Sequence, residues 1–260
     1  VLRRNNSRAN HSATHLLHES LRRTLGKHVT QKGSLVSPER LRFDFSHNKP
    51  ISRDEMIKIN DLVNEIIAGS TDIKTRIMTP KEAVNMGALA LFGEKYGEEV
   101  RVVFMGKENN NFFSTELCGG THVKNTKEIG KFKIISQFSI SSGIRRVEAL
   151  RDKQLVEYEK IQKQDKSQKE SNLKNEIELV NKELQALNIK TDVNENLDLS
   201  ENLKNLNKQL NKARIEIIKK DKSKNIIKDE KIGSILIRKQ ILKDFPPKKL
   251  RSIIDQGKKD

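Results

Sequence analysis

A chain of 260 residues exceeds a usual single core, so two or more units are expected, at least one of ordinary domain size. Its 51 Lys and Arg against 35 Asp and Glu leave a formal charge of +16, which points to a polyanionic partner, nucleic acid ahead of an anionic membrane surface; a composition biased toward Lys and Asn is the plainer account of the same excess. The single cysteine, Cys118, excludes an intrachain disulfide framework and fits a reducing cytosol, and no apolar run approaches the roughly 20 residues of a membrane span, Ala88 to Phe92 being the longest candidate.

The opening VLRRNNSRAN has neither an initiator Met nor the apolar stretch of a signal peptide, as expected for a fragment of a longer cytoplasmic chain. Asn10 to Leu25 reads as a helix, with Ala13, Leu16, Leu17, Leu21 and Leu25 on one broad apolar side and Gly26 as its stop. Leu41, Phe43 and Phe45 alternate with Arg42, Asp44 and Ser46, the pattern of a half-buried strand. Ser52 and Glu55 form a capping box for a helix whose buried face is Met56, Ile59, Leu62, Val63, Ile66 and Ile67, and Gly69 ends it. Thr79 and Pro80 open a further short helix, and β-branched and aromatic residues predict strands in Val100 to Met105 and in Phe132 to Ala149.

Beyond Arg151 the spacing changes to fours and threes, through Leu173, Ile177, Val180, Leu184 and Leu187 and then Leu199, Leu203, Leu206, Leu210, Ala213 and Ile217. Asn188 to Asn196 interrupts this heptad seam, so an antiparallel helical hairpin is expected. Ile232 to Ile241 resembles a strand, and Pro246, Pro247 and Leu250 to Ile254 the start of a helix. Charge does not mark the boundary, because 24 basic and 16 acidic residues up to Leu150 and 27 and 19 after it give +8 on each side. Aromatic content does, with nine of eleven before Leu150. The first part is the α+β globular one.

Chemistry concentrates in two pairs. His11 and His15, four apart on a helix, share a face at about 5 to 6 Å between Cβ atoms, a chelating distance. Cys118 and His122 are also four apart, around two glycines that permit tight turns. Together they supply three nitrogens and one sulfur, a tetrahedral set typical of zinc. His18 falls on the same helical face and either replaces a ligand or lines the site; Cys118 as a nucleophile with His122 as its base is the rival reading. His28 and His47 belong to no such pair and are set aside. Arg3, Arg4, Arg8, Arg22, Arg23, Arg145 and Arg146 are the candidate phosphate contacts.

HSATHLLHESL, HVTQKGSLV with LRFDFSH, ALALFGEKYG, FSTELCGGTHV and SSGIRRVEA, in that order, resemble the editing domain of alanyl-tRNA synthetases over essentially residues 1 to 150. Freestanding alanyl-tRNA editing proteins and the threonyl-tRNA synthetase editing domain share the two pairs, but the threonyl version lacks the TELCGGTH context. The resemblance implies one zinc per chain on His11, His15, Cys118 and His122, and an editing pocket at Thr14 and Gln31. Without it, Thr14 is a helix residue bonded back to its own chain and Gln31 a polar loop group. It further implies hydrolysis of Ser-tRNA(Ala) and Gly-tRNA(Ala), tRNA(Ala) as partner, no membrane, and ATP and magnesium only in an aminoacylation domain that this chain lacks. The architecture expected is a zinc-containing domain of helices on a mixed or antiparallel sheet over 1–150, an antiparallel α-helical hairpin linker over 151–225, and over 226–260 the start of a truncated α/β domain for tRNA binding and homodimerisation. A zinc-stabilised RNA-binding module without catalysis and a coiled-coil adaptor are the competing classes.

Overall fold

The computed structural model describes residues 1–89, 97–109, 111–191, 197–220, 225–233, 235–242 and 251. They divide into two compact units, Val1–Gln162 and Lys163–Asp260. The ALALFGEKYG segment therefore lies largely outside the described residues, as does the expected helix near Pro246 and Pro247.

Helix α1 (Leu2–Leu25) begins at Leu2 rather than at Asn10. Its first turns, rich in Arg and Asn, contain no helix breaker but face solvent, so they are helical without an apolar stripe to announce them. From Ala9 onward the stripe is continuous: Ala13, Leu16, Leu17 and Leu21 are fully buried. Helix α2 (Arg53–Ala68) starts on the predicted capping box, Ser52 Oγ accepting the Glu55 N–H and the Glu55 carboxylate accepting the Ser52 N–H. Helix α3 (Pro80–Asn85) starts on the equivalent box of Thr79 and Glu82.

Strands β1 (Gln31–Val36), β2 (Leu41–Ser46), β6 (Phe132–Ser141) and β7 (Ile144–Arg151) form one antiparallel sheet in the order β1-β2-β7-β6. Strands β3 (Lys74–Met78), β4 (Val100–Glu108) and β5 (Asn111–Leu117) form a second antiparallel sheet. α1 touches β1 and β2 of the first sheet and β5 of the second, while α2 touches β6 and β4, so the two helices, packed on each other, are shared by both sheets. Their common core joins Leu16, Leu17 and Leu21 to Phe43, Phe45, Ile59, Val63, Phe113 and Phe132. Each such side chain contributes about 1.5–3 kcal/mol by leaving water. At Gly106, φ is +68° and a Cβ would meet Ile66 Cγ2 at 2.6 Å, so β4 can cross α2 this closely only with glycine there.

Strand β2 departs from simple alternation because Asp44 is buried as well as Leu41, Phe43 and Phe45. Arg146, its cross-strand neighbour, makes this tolerable with two bonds of 2.6 and 2.7 Å to the carboxylate. The first unit is thus α+β with antiparallel sheets.

Helix α4 (Asp152–Ala186) begins in the first unit and continues into the second, ending where Asn188 takes a left-handed φ of 55°. Within the second unit its Ile177 and Leu184 share an apolar cluster with Leu206 and Leu210 of α5 (Leu199–Lys220), and Arg214 bonds Glu183 at 2.6 Å. The strand expected over Ile232 to Ile241 is present as β9 (Ile235–Leu242), and it is one arm of a hairpin with an unexpected strand, β8 (Asn225–Ile232), turning at Gly233 with φ 65°. The glycine inside the apolar run sets Ile232 on the other arm. Among the described residues no helix is long and apolar enough to cross a membrane.

Candidate metal centre

The two predicted pairs meet. The ligand atoms of His11 and His15 on α1 and of Cys118 and His122 in the loop after β5 all lie within 4.8 Å of one another. Cys118 Sγ is 3.5 Å from His11 Nε2 and 3.4 Å from His122 Nε2. Zinc with bonds of about 2.05 Å to nitrogen and 2.3 Å to sulfur has tetrahedral N to S edges of about 3.6 Å, which these two distances match.

What points them inward is the far side of each ring. His11 Nδ1 donates to the Thr121 carbonyl at 3.2 Å, His122 Nδ1 faces Ser12 Oγ at 3.2 Å, and His15 Nδ1 bonds Glu116 Oε2 at 2.7 Å. With each Nδ1 engaged, Nε2 is left as the ligand atom in all three. His15 Nε2 is buried and has no hydrogen-bond partner, an orphan that a cation would satisfy. His18, the alternative ligand of the same face, is not in the cluster; its Nδ1 lies 3.3 Å from Glu116 Oε1.

Charge states follow from this crowding. Burial disfavours the Cys118 thiolate, yet hydrogen bonds from His11, His122 and His15 outweigh it and bring the thiol down to about 3. Burial also opposes a charged His15, but Glu116 and Cys118 push it up to about 10. Burial, aided by the neighbouring His15 and His11, lowers His122 to about 4 even though its bond to Cys118 acts the other way. Burial would raise Glu116, and His15 with His18 holds it well below the usual carboxylate range.

The loop is built around this cluster. The Gly120 N–H donates to Cys118 Sγ at 3.4 Å, and a Cβ at Gly120 would overlap the His11 ring. Arg101 on β4 donates from Nη1 to the carbonyls of Cys118 and Gly120, and the Cys118 N–H returns to the Arg101 carbonyl. On the other side, buried Arg151 donates to Asn10 Oδ1 and to the carbonyls of Asn6 and Ile129, fixing α1 one residue before His11. Glu116, Arg101, Ser12 and Arg151 were not singled out from sequence, where nothing marks a partner 17 residues away for Arg101 or more than 100 away for the others. Only Glu116 carried a signal, sharing the parity of Ser114 and Cys118 along a strand.

Beside the cluster is a cavity of about 140 Å³ lined by His11, His15 and Cys118 together with Thr14, Gln31 and Glu116. Thr14 is buried and bonds back to the Asn10 carbonyl at 2.9 Å, and Gln31 stands at the start of β1, next to a bulge. Both pocket expectations therefore fall on one wall with three of the four candidate ligands.

The seven arginines scatter. Arg3 and Arg4 are exposed, and the Nε atoms of Arg8 and Arg145 are buried without a partner. Arg22 is spent on the carbonyls of Lys27 and Val29, Arg23 on Glu19, Glu108 and the Phe113 ring and carbonyl, and Arg146 on Asp44. His28 and His47, set aside as unpaired, do meet: His28 Nε2 is 2.9 Å from His47 Nδ1. The β1–β2 hairpin, which the sequence did not reveal, brings them together.

The family described as threonyl and alanyl tRNA synthetase second additional domain matches residues 100–148, which contain Cys118 and His122. The alanine–tRNA ligase of Parvibaculum lavamentivorans is 58% identical over 147 residues, 55% of this chain and 16% of that protein. The alanine–tRNA ligase of Bdellovibrio bacteriovorus is 59% identical over 144 residues, 55% of this chain and 15% of that protein. The chain thus spans less than a fifth of the length of the curated relatives it matches. The domain match and this level of identity over about 55% of the chain support an alanyl-tRNA synthetase fragment.

Proposed function

We propose that the first unit is an editing site that hydrolyses Ser-tRNA(Ala) and Gly-tRNA(Ala), with one zinc ion held by His11, His15, Cys118 and His122. The observation that carries this reading is the shared wall, on which three of those residues line the same small cavity as Thr14 and Gln31. At about 140 Å³ the cavity is well below the roughly 300–1,000 Å³ of sites for drug-sized ligands, a size for an aminoacyl group rather than a nucleotide. Three imidazole nitrogens and a thiolate are the donor set that zinc favours, and the orphaned His15 Nε2 fits the same ion.

Four protein ligands close the coordination shell, so the ion supplies order to the cavity wall and a positive field beside the ester. The remaining work belongs to the chain. Thr14 gives its hydroxyl proton to the Asn10 carbonyl and so offers lone pairs toward the cavity, where Gln31 supplies both a donor and an acceptor. A water held between them attacks the ester carbon, the bond to the ribose oxygen breaks, and that oxygen takes the proton. A second site is needed because a pocket for alanine cannot exclude the smaller glycine, and rejects one added hydroxyl only about a hundredfold. The ligation of alanine to tRNA(Ala), with its ATP and magnesium, belongs in this proposal to the part of such a ligase that the chain does not span. Homodimerisation, by contrast, is proposed to run through residues 226–260 of this chain.

Deacylation of the three aminoacyl-tRNAs by zinc-loaded protein tests the reading. Ser-tRNA(Ala) and Gly-tRNA(Ala) should be cleaved faster than Ala-tRNA(Ala), and equal rates on all three would end the proofreading claim. Gln31→Ala should slow hydrolysis about 100- to 1,000-fold, the lower half of the range for one positioned proton-transfer group, with zinc content unchanged.

A further inference from the structure

We propose that Glu116 is a positioning residue of the metal centre, holding His15 with Nε2 toward the ion and supplying the negative charge that balances it. This rests on the reading of the four-residue cluster as a metal site. Three rings present Nε2, and each is anchored at Nδ1, but the anchors are unequal. Those of His11 and His122 are a peptide carbonyl and a serine hydroxyl, while that of His15 is a carboxylate at 2.7 Å. A divalent ion bound by one thiolate and three neutral imidazoles carries a net charge of +1, and a buried positive centre is costly unless paired. Glu116, itself 7% exposed, is the acidic group in contact with the ligand set, and it brings that sum to zero.

The strand fixes this geometry. Ser114 and Glu116 are two apart on β5 and share the face that meets α1, so Ser114 Oγ donates to Glu116 Oε1 at 3.1 Å and turns Oε2 toward His15. Opposite, His18 Nδ1 lies 3.3 Å from the same Oε1. His15 and His18 are three apart on α1, so a single carboxylate collects both rings on one helical face.

A carboxylate that only ties α1 to β5 predicts something different from one that serves the ion. Glu116→Gln keeps the volume and one acceptor oxygen and removes the charge; Glu116→Ala removes all three. Zinc affinity of the whole chain is measured by chelator competition for wild type and both variants, with Co(II) absorption reporting thiolate coordination. The expected result is about 10- to 100-fold weaker zinc for Glu116→Gln, the range for losing an outer partner of a ligand, and a larger loss for Glu116→Ala, with the thiolate-to-cobalt band retained at saturation. Wild-type affinity in both variants overturns the proposal, whereas a wild-type chain that takes up no metal overturns the reading beneath it. If either variant fails to fold, ¹¹³Cd to ¹⁵N couplings in wild-type protein decide: His15 bound through Nε2 is required, and His15 bound through Nδ1 is fatal.

Discussion

The chain holds two histidine clusters, and one of them, with Cys118, forms a four-donor set that could hold a metal. In the first, residues about 100 positions apart on α1 and the loop after β5 meet, every Nδ1 is held by a different group, and every Nε2 faces one point. In the second, His28 Nε2 and His47 Nδ1 are joined to each other at 2.9 Å with stacked rings, so one nitrogen of each ring is taken by its neighbour and the two remaining nitrogens have no third donor beside them among the described residues. His47 is lowered from the usual histidine value by burial, then by His28, with Arg145 and Lys49 adding to the effect against Glu55. Those cations repel a further positive charge. Among the described residues no other group of three or more such side chains comes together. Spacing creates opportunity, but anchoring of the far nitrogen decides whether donors converge.

The largest expected effect comes from breaking the first cluster at its sulfur. Cys118→Ala removes a ligand outright, so zinc affinity should fall by more than the roughly 10- to 100-fold assigned to an outer partner, and hydrolysis should fall with it. Retained zinc with lost hydrolysis would instead support Cys118 as a nucleophile. Gly120→Ala should resemble it more mildly, because the new methyl overlaps the His11 ring. Stripping wild-type protein with a chelator should lower its melting temperature, since an ion that binds only the folded chain contributes its binding free energy to the fold.

A pH series sharpens the same contrast. His15 in the folded, metal-free chain sits at about 10, above its ordinary 6.5, so its pairing with Glu116 stabilises fully below about 6.5 and is lost as pH rises through about 10. Glu116 is shifted the other way, so its contribution is present above its ordinary 4.5 and lost on acidification. Metal-free protein should therefore melt at a lower temperature near pH 10.5 than near pH 6. The zinc form should lack that alkaline decline, because ligation has already removed the His15 proton. Zinc uptake at pH 7 should accordingly release a proton, read by calorimetry in buffers of different ionisation enthalpy. No buffer dependence would show that His15 is neutral before the metal arrives.

The legibility of these features depended on range. The i, i+4 spacing of His11 with His15 and of Cys118 with His122 is local, as are the capping box of α2 and the Thr79 and Pro80 start of α3, and all were readable. Thr14 and Gln31 came only from the family resemblance, since their own chemistry suggests a back-bonded helix residue and a loop amide. β1, with the sequence QKGSLV, has no alternation, and its register is imposed by β2. β3 lies at the edge of its sheet and exposes four of its five residues, so no apolar pattern marked it. The His28 contact with His47 was invisible for the same reason, because without β1 there was no hairpin to bring them together. The arginines show the converse case: net charge suggested phosphate contacts, and the structure adds that Arg22, Arg23 and Arg146 hold carbonyls and carboxylates of the protein itself.

The smallest expected effect is at the second cluster, and its smallness is the point. His28→Ala or His47→Ala removes an exposed ring-to-ring bond, and surface changes of this kind usually stay within about 0.5 kcal/mol. Removing His28 also relieves part of the repulsion that lowers His47, which offsets part of the lost bond. Zinc content should remain at one per chain, and hydrolysis of Ser-tRNA(Ala) should be unchanged, since neither ring lines the cavity that holds Thr14 and Gln31. Elemental analysis of the wild type and the double variant makes the comparison quantitative. A second equivalent of zinc in wild-type protein that disappears in the variant would show that two histidines bonded to each other can still release one another for a cation, and the anchoring argument would fail.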